Sequence, residues 1–439
     1  MQSEKNVFSG SDNVDGKLDN IFRLVEAQKS STSSTSIEEF ILIFQLLAFL
    51  ACAGKAPIRQ QMLDESLARV KKAGDHENIL RWCVWTKDQH NLMAMADKLL
   101  RVILVGGNGT GKTYMLDAFT MKIAKEHPDE KIVFAIHQNI SSYRPLLQLE
   151  LEVKYERMRL TNVTVVTFKE LSELTDANLL NDNVCIDEIS LVDVKLEDLL
   201  AIEAKSLWIV IRDTAQGGNH EEYLREKFQD WAIVNLSYPL RTSKNLSEKV
   251  KSGLVYDRNH TNIFNNSMKV APNMPLGPEP LIFPRSDGSY QARLQQAFSV
   301  LVIDGVIDKP AFIILGVGSM KSTPEEIQIA KATTAHQELA EKTDFQSQNI
   351  LVAIEAVKAC QRPHGPPLLW FNSEYANVSD CDASIKEWMK GKDKNISAKD
   401  LVTDDFCVAG YEADFVIFLG SRSMAAYMSR CRGQFVHIA

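Results

Sequence analysis

Residues Gly106 to Thr113 read Gly-Gly-Asn-Gly-Thr-Gly-Lys-Thr, and the stretches on either side of them constrain the fold more than anything else in the chain. The apolar run Val102-Ile103-Leu104-Val105 comes before, and the amphipathic stretch Tyr114 to Ile123 comes after. A strand, a glycine-rich turn of the pattern G-x-x-x-x-G-K-[ST] and a helix, in that order, make a phosphate-binding loop. Glycines let successive N–H groups point into one concavity at the positive end of the helix. Gly106, Gly107, Asn108, Gly109, Thr110 and Gly111 are therefore expected to cradle phosphates. Lys112 is expected to reach the outer phosphates, and the Thr113 hydroxyl to sit on Mg²⁺.

A second signal is Val184-Cys185-Ile186-Asp187-Glu188, a short apolar strand that ends in two acids. Asp187 is expected to hold Mg²⁺, directly or through water. Glu188 is expected to polarise an attacking water as a general base. A third is Trp208 to Gln216, a strand running into a polar turn with Asp213 and Gln216 three positions apart. An amide both donates and accepts, so Gln216 suits the sensing of a γ-phosphate, although a plain strand-ending turn reads the same way.

From Thr86 onward, helical and strand patterns alternate. Thr86-Lys87-Asp88-Gln89 opens a helix carrying Leu92, Met95, Ala96 and Leu99. Strands are expected at Val102–Val105, Ile132–Ile136, Val163–Phe168, Val184–Ile186 and Leu207–Ile211. A second α/β unit begins near Ser237, with strands at Phe312–Val317, Leu368–Phe371 and Val416–Leu419 and a final apolar stretch, Phe435 to Ile438. Ser322-Thr323-Pro324-Glu325 reads as a hydroxyl-capped helix start with Pro in the first turn. Alternation of this kind predicts an α/β fold of parallel sheets covered by helices. The expected organisation is a polar, disordered tail over 1–36, a helical segment over 37–85, a first α/β domain over 86–236 and a second over 237–439. The helical segment would hold the apolar run Phe40–Ala53, too short for an ordinary membrane span, and a helix from Pro57 to about Ala73.

The formal net charge of -8 argues against a generally basic nucleic-acid binder, but says little about any one face. Seven scattered cysteines form no C-x-x-C pair, which suits reduced thiols in a cytoplasmic or nuclear protein rather than structural zinc. No basic segment followed by an apolar core stands at the N-terminus, and no membrane association is expected. The six tryptophans are scattered, several within apolar runs, and so read as core residues rather than a base-stacking platform.

Together these motifs resemble the ATPase core of superfamily 1 helicases and their helicase-like relatives, UvrD and Rep among them, over roughly Thr86 to Ile438. The resemblance implies two RecA-like domains. Gln89 then stands where the family reads adenine, though Thr86 and Gln89 also fit a capping box. Asp213 and Gln216 match motif III, with Arg212 in place of the usual glycine. Leu240-Arg241-Thr242-Ser243 matches motif IV, so that Arg241 contacts the γ-phosphate, with Leu240 where an aromatic residue is common. Gly410-Tyr411-Glu412-Ala413-Asp414 matches motif V and brings Glu412 to the nucleotide. Met428-Ser429-Arg430-Cys431-Arg432 matches motif VI and makes Arg430 the arginine finger. His137-Gln138-Asn139 falls where the family contacts nucleic acid, and His137 itself reads as a local turn residue.

The resemblance implies ATP and Mg²⁺ as ligands and single-stranded DNA or RNA as a track, with hydrolysis driving movement along it. The short intervals between motifs leave little room for the accessory domains of many unwinding enzymes. The alternative is a P-loop ATPase that acts as a regulatory switch in a larger assembly without translocation.

Overall fold

A computed structural model describes residues 87–137, 146–175, 179–180, 182–189, 194–211, 220–239, 243–255, 270, 278–303, 310–360, 365–371, 382–390, 399–405, 408, 411–421, 425–428 and 430–439. The expected tail, the apolar run Phe40–Ala53 and the helix from Pro57 lie outside these residues. The chain divides into two compact units, Met1–Ala94 with Lys269–Leu276, and Met95–Met268 with Gly277–Ala439. The described helix of the first unit is Lys87–Ala94. The pattern predicted a helix reaching Leu99. Instead a single 3-10 turn, Ala96–Lys98, follows, and Leu99 is extended. The Trp208 indole N–H holds the Leu99 carbonyl at 3.0 Å, so a tertiary contact overrides the local periodicity.

In the second unit the described residues build two six-stranded sheets. The strands of the first are β1 (Arg101–Gly106), β2 (Ile132–Ile136), β3 (Val163–Thr167), β4 (Asn183–Ile189), β5 (Ser206–Ile211) and β6 (Ala232–Leu236), in the order β3-β2-β4-β5-β1-β6. Those of the second are β7 (Leu281–Phe283), β8 (Phe312–Leu315), β9 (Leu368–Trp370), β10 (Leu401–Asp404), β11 (Ala413–Leu419) and β12 (Cys431–Ile438), in the order β7-β12-β11-β8-β10-β9. All the pairings are parallel. These are two RecA-like parallel sheets flanked by helices, the expected fold class.

Parallel sheets covered on both faces need strands that are apolar throughout, and β1, β2, β5 and β8 are buried along nearly their whole lengths. Alternate residues then serve opposite faces. In β8, Ile313 and Leu315 join one core with Leu294 and Ile350, whereas Phe312 and Ile314 join another with Leu246 and Ile385. The helix Pro324–Thr333 starts as its sequence requires: Thr323 and Glu326 form a capping box and Pro324 opens the first turn. Trp208 stacks on Phe119 at 3.8 Å between ring centroids, a core role as expected.

One crossover helix between β2 and β3, Leu146–Arg157, is apolar on more than one side, so it must be covered on more than one side. Its Leu146 and Leu149 belong to the core beneath the second sheet. Its Tyr155 hydroxyl donates to Asp117 Oδ1 at 3.0 Å, and Lys154 pairs with the same carboxylate, on the helix that follows the phosphate loop. Toward the second sheet, Glu152 meets Lys386 at 2.8 Å and Glu156 meets Lys390 at 3.1 Å. The two sheets are thus packed on a shared helix.

Candidate phosphate-binding and hydrolytic site

The glycine-rich turn leaves the end of β1 and enters the helix Lys112–Glu126. Gly106 has φ +148°, and a Cβ there would come within 2.3 Å of the Leu236 carbonyl oxygen on β6. Only glycine fits so close a backbone approach. Gly111 caps the helix in the left-handed region, φ 86°, without a side-chain cap. The helix N-terminus therefore faces the loop with its dipole uncompensated by an acidic side chain. Thr110 closes the turn by donating its hydroxyl to the Gly107 carbonyl at 2.8 Å. The Lys112 ammonium lies across the loop mouth, donating to the Gly106 carbonyl at 2.7 Å and the Gly107 carbonyl at 3.1 Å.

The two acids come from β4, separated from β1 by β5 alone. The strand does not end before them, as the pattern predicted, but runs on to Ile189. The reason is a bulge: Ile186 pairs with Ile209 and Ile189 with Ile211, so β4 carries one residue more than β5 over that interval. Glu188 sits within it at φ 59°, a left-handed conformation that costs a residue with a side chain about 1–2 kcal/mol. Bulges of this kind re-aim side chains.

Asp187 is fully buried. Burial first, and the adjacent Glu188 carboxylate second, push its pKa up to about 7, while Thr113, the Glu188 N–H and Lys112 act in the opposite direction. Its Oδ1 accepts from the Glu188 N–H at 2.9 Å, and its Oδ2 is buried without a hydrogen-bond partner. A buried carboxylate beside the Thr113 hydroxyl is a donor set for a hard divalent cation. Among the described residues no cluster of three or more His, Cys, Asp or Glu is placed to hold a metal. A Mg²⁺ site commonly uses one or two protein oxygens and completes its shell with phosphate and water. Thr113 and Asp187 fit the ion.

From the second sheet, Arg430 stands just before β12, and its Nη1 lies 3.8 Å from Glu188 Oε1. Both side chains are nearly buried. Glu412 lies just before β11, and the neighbouring Ala413 N–H donates to the Arg430 carbonyl at 3.1 Å, so Glu412 and Arg430 end adjacent paired strands. The structure therefore brings together Lys112, Thr113, Asp187, Glu188 and Arg430, with Glu412 close to Arg430 in register. Gln89 is buried on the helix Lys87–Ala94 of the first unit. Arg241, Asp213 and Gln216 lie outside the described residues.

One residue of this neighbourhood, His137, reads from the sequence as a local turn residue, but the structure gives it a different place. His137 follows β2, is buried, and touches the main chain of both acids. Its contacts with the two acids were not legible, because the pairing of β2 with β4 cannot be read from one sequence.

Fold and site together define a P-loop fold with two RecA-like parallel sheets. No family model matches the chain, and comparison with curated proteins finds no match. Among solved structures it is similar to the DUF1998 helicase MrfA bound to DNA, at 8% identity over 87% of this chain and 51% of that one, TM-score 0.42. It is similar to a DEAD box protein from Methanococcus jannaschii, at 10% identity over 88% and 92%, TM-score 0.33. Domain III of the Thermotoga maritima replication initiation protein DnaA matches at 12% identity over 51% and 88%, TM-score 0.25. These scores are low, so the class rests on the strands and loop of this chain. Among the described residues no helix is long and apolar enough to cross a membrane.

Proposed function

We propose that the chain is an ATP hydrolase with a superfamily 1 helicase-like motor core, coupling hydrolysis to movement on, or remodelling of, single-stranded DNA or RNA. One observation carries the reading: Arg430 from the second sheet approaches Glu188 of the first, beside the phosphate loop. The loop amides and Lys112 bind the phosphates, and Glu188 orients the attacking water and takes its proton. Arg430 offers fixed donors to the charge that spreads over the transferring phosphoryl group. Thr113 and Asp187 would hold Mg²⁺, which would supply positive charge to the bound phosphates. Gln89 as base reader, Gln216 and Arg241 as γ-phosphate contacts and Glu412 as a nucleotide contact complete the proposal. The domain division at about residue 236 and a cytoplasmic or nuclear location belong to it as well.

Phosphate release by the full chain, with and without single-stranded nucleic acid, tests this reading. Turnover that is stimulated by DNA or RNA and lost in Lys112→Ala and Arg430→Ala supports it. Absence of both turnover and nucleotide binding sinks it. The second reading, a regulatory ATPase within a larger assembly, is favoured by the links across the helix Leu146–Arg157, which already tie the sheets together. Its signature is turnover indifferent to nucleic acid, with partner binding that depends on the nucleotide.

A further inference from the structure

We infer that His137 is a positioning residue for Glu188, acting through the main chain. The inference rests on the reading of Glu188 as the group that orients the attacking water.

Glu188 needs such a support. Its left-handed backbone in the β4 bulge is not a conformation that a glutamate adopts by itself. A strained residue next to a reactive centre persists only when its surroundings over-determine it. His137 supplies two of the hydrogen bonds that fix this peptide segment. Its N–H donates to the Asp187 carbonyl at 2.9 Å, continuing the β2–β4 ladder one step past Ile136 and Asp187. Its Nδ1 lies 3.3 Å from the Glu188 carbonyl oxygen. Another bond is internal, from the Glu188 N–H to Asp187 Oδ1.

A carbonyl oxygen only accepts, so the Nδ1 contact requires a proton on Nδ1, as in the Nδ1–H tautomer or the imidazolium. The ring itself is held: it is buried, and it meets the Phe168 ring edge-on, with centroids 5.5 Å apart and planes at 72°. A rigid donor therefore clamps the carbonyl of the residue whose side chain must point at water. The precision this supplies is large, because a displacement of about 1 Å at a reacting group costs on the order of 100-fold in rate.

Two variants separate positioning from packing. His137→Asn keeps a donor at nearly the place of Nδ1, and His137→Phe keeps the ring contact with Phe168 but has no donor. Measured on the full chain at saturating ATP and Mg²⁺, single-turnover hydrolysis should fall roughly 10- to 100-fold in His137→Phe. In His137→Asn it should stay within about threefold of wild type. Affinity for a fluorescent ADP analogue and the melting midpoint should be alike in all three proteins. Equal rates in His137→Phe and wild type, or equal loss in both variants, overturn the inference. The tautomer gives a readout independent of activity. With ¹⁵N-labelled histidine, the His137 resonance, assigned by its loss in His137→Asn, should show the proton on Nδ1. An Nδ1 without a proton overturns the inference whether or not the wild type hydrolyses ATP. A wild type without hydrolysis but with the proton on Nδ1 upholds the clamp and instead contradicts the hydrolytic reading of Glu188.

Discussion

The Arg430 guanidinium lies 3.8 Å from the Glu188 carboxylate, and the two residues come from different sheets. A nearly buried ion pair is weak evidence for stability, since desolvation offsets most of its attraction. In the proposed reaction the two groups stand around a third, the transferring phosphoryl. Arg430→Ala should lower turnover by about 10³-fold or more and leave nucleotide affinity within a few-fold of wild type. Arg430→Lys should not restore it, because an ammonium lacks the planar fork of donors. Quenched-flow hydrolysis beside equilibrium nucleotide titration checks both statements.

Glu188→Gln keeps the size and the bulge but removes the proposed base. Turnover should fall roughly 10²- to 10⁴-fold with nucleotide still bound. Asp187→Asn should instead weaken the dependence of nucleotide binding on Mg²⁺, since the buried Oδ2 without a partner is the group that the ion would satisfy. A Mg²⁺ titration at fixed nucleotide separates the two acids: a base variant keeps the midpoint and a ligand variant shifts it.

Gly106 is bounded by the Leu236 carbonyl oxygen, which a Cβ would meet at 2.3 Å. Gly106→Ala should cost about 2 kcal/mol or more in unfolding free energy and impair nucleotide binding. Gly365 also has positive φ, at +77°, but an added Cβ meets nothing within 4 Å. Gly365→Ala should cost only about 1 kcal/mol, the backbone term alone. Urea titrations of the two variants side by side divide the steric cost from the conformational one.

Glu152–Lys386 and Glu156–Lys390 join the crossover helix of the first sheet to the helix Asp382–Lys390 of the second. Both pairs are partly exposed, so each is worth about 0.2–1 kcal/mol. Reversing one partner, as in Glu152→Lys, should destabilise by that order, and the double reversal with Lys386→Glu should recover most of it. A double-mutant cycle by chemical denaturation reads the coupling.

His437 is buried, with Nε2 2.6 Å from the Gly420 carbonyl oxygen and its ring stacked on Phe418. Burial, chiefly, and Arg293 lower its pKa below the usual 6.5, and the Gly420 contact opposes them. Below pH 6.5 the unfolded chain then takes up a proton that the folded one refuses. Stability should be full above that pH and decline as the pH falls through the lowered folded value, by at most ~1.4 kcal/mol per unit. His437→Gln should remove this part of the slope, as followed by melting midpoints between pH 5 and 8.

The strand, glycine turn and helix around Gly106–Thr113 were legible because their signals are contiguous and fall within one short stretch. Asp187 and Glu188 were legible as residue types but not in conformation. Two acids look like the end of a strand, and only the pairing with β5 reveals the bulge. The strands β6 and β10 were missed because polar residues such as Asn235 and Thr403 interrupt their apolar pattern, and β7 has only three residues beside a proline-rich loop. The helix Leu146–Arg157 shows its role only when both of its neighbours are known. Arg430 was legible through a family resemblance rather than a local pattern, and its distance from Glu188 is a property of the fold.

The most direct measurement of the central claim is steady-state phosphate release by wild type, Lys112→Ala and Arg430→Ala, each with and without single-stranded DNA and RNA. The account predicts wild-type turnover that rises with nucleic acid, loss of turnover in both variants, and retained nucleotide binding in Arg430→Ala. Wild-type turnover unchanged in Arg430→Ala would contradict it, because the residue that joins the two sheets at Glu188 would then have no part in the reaction.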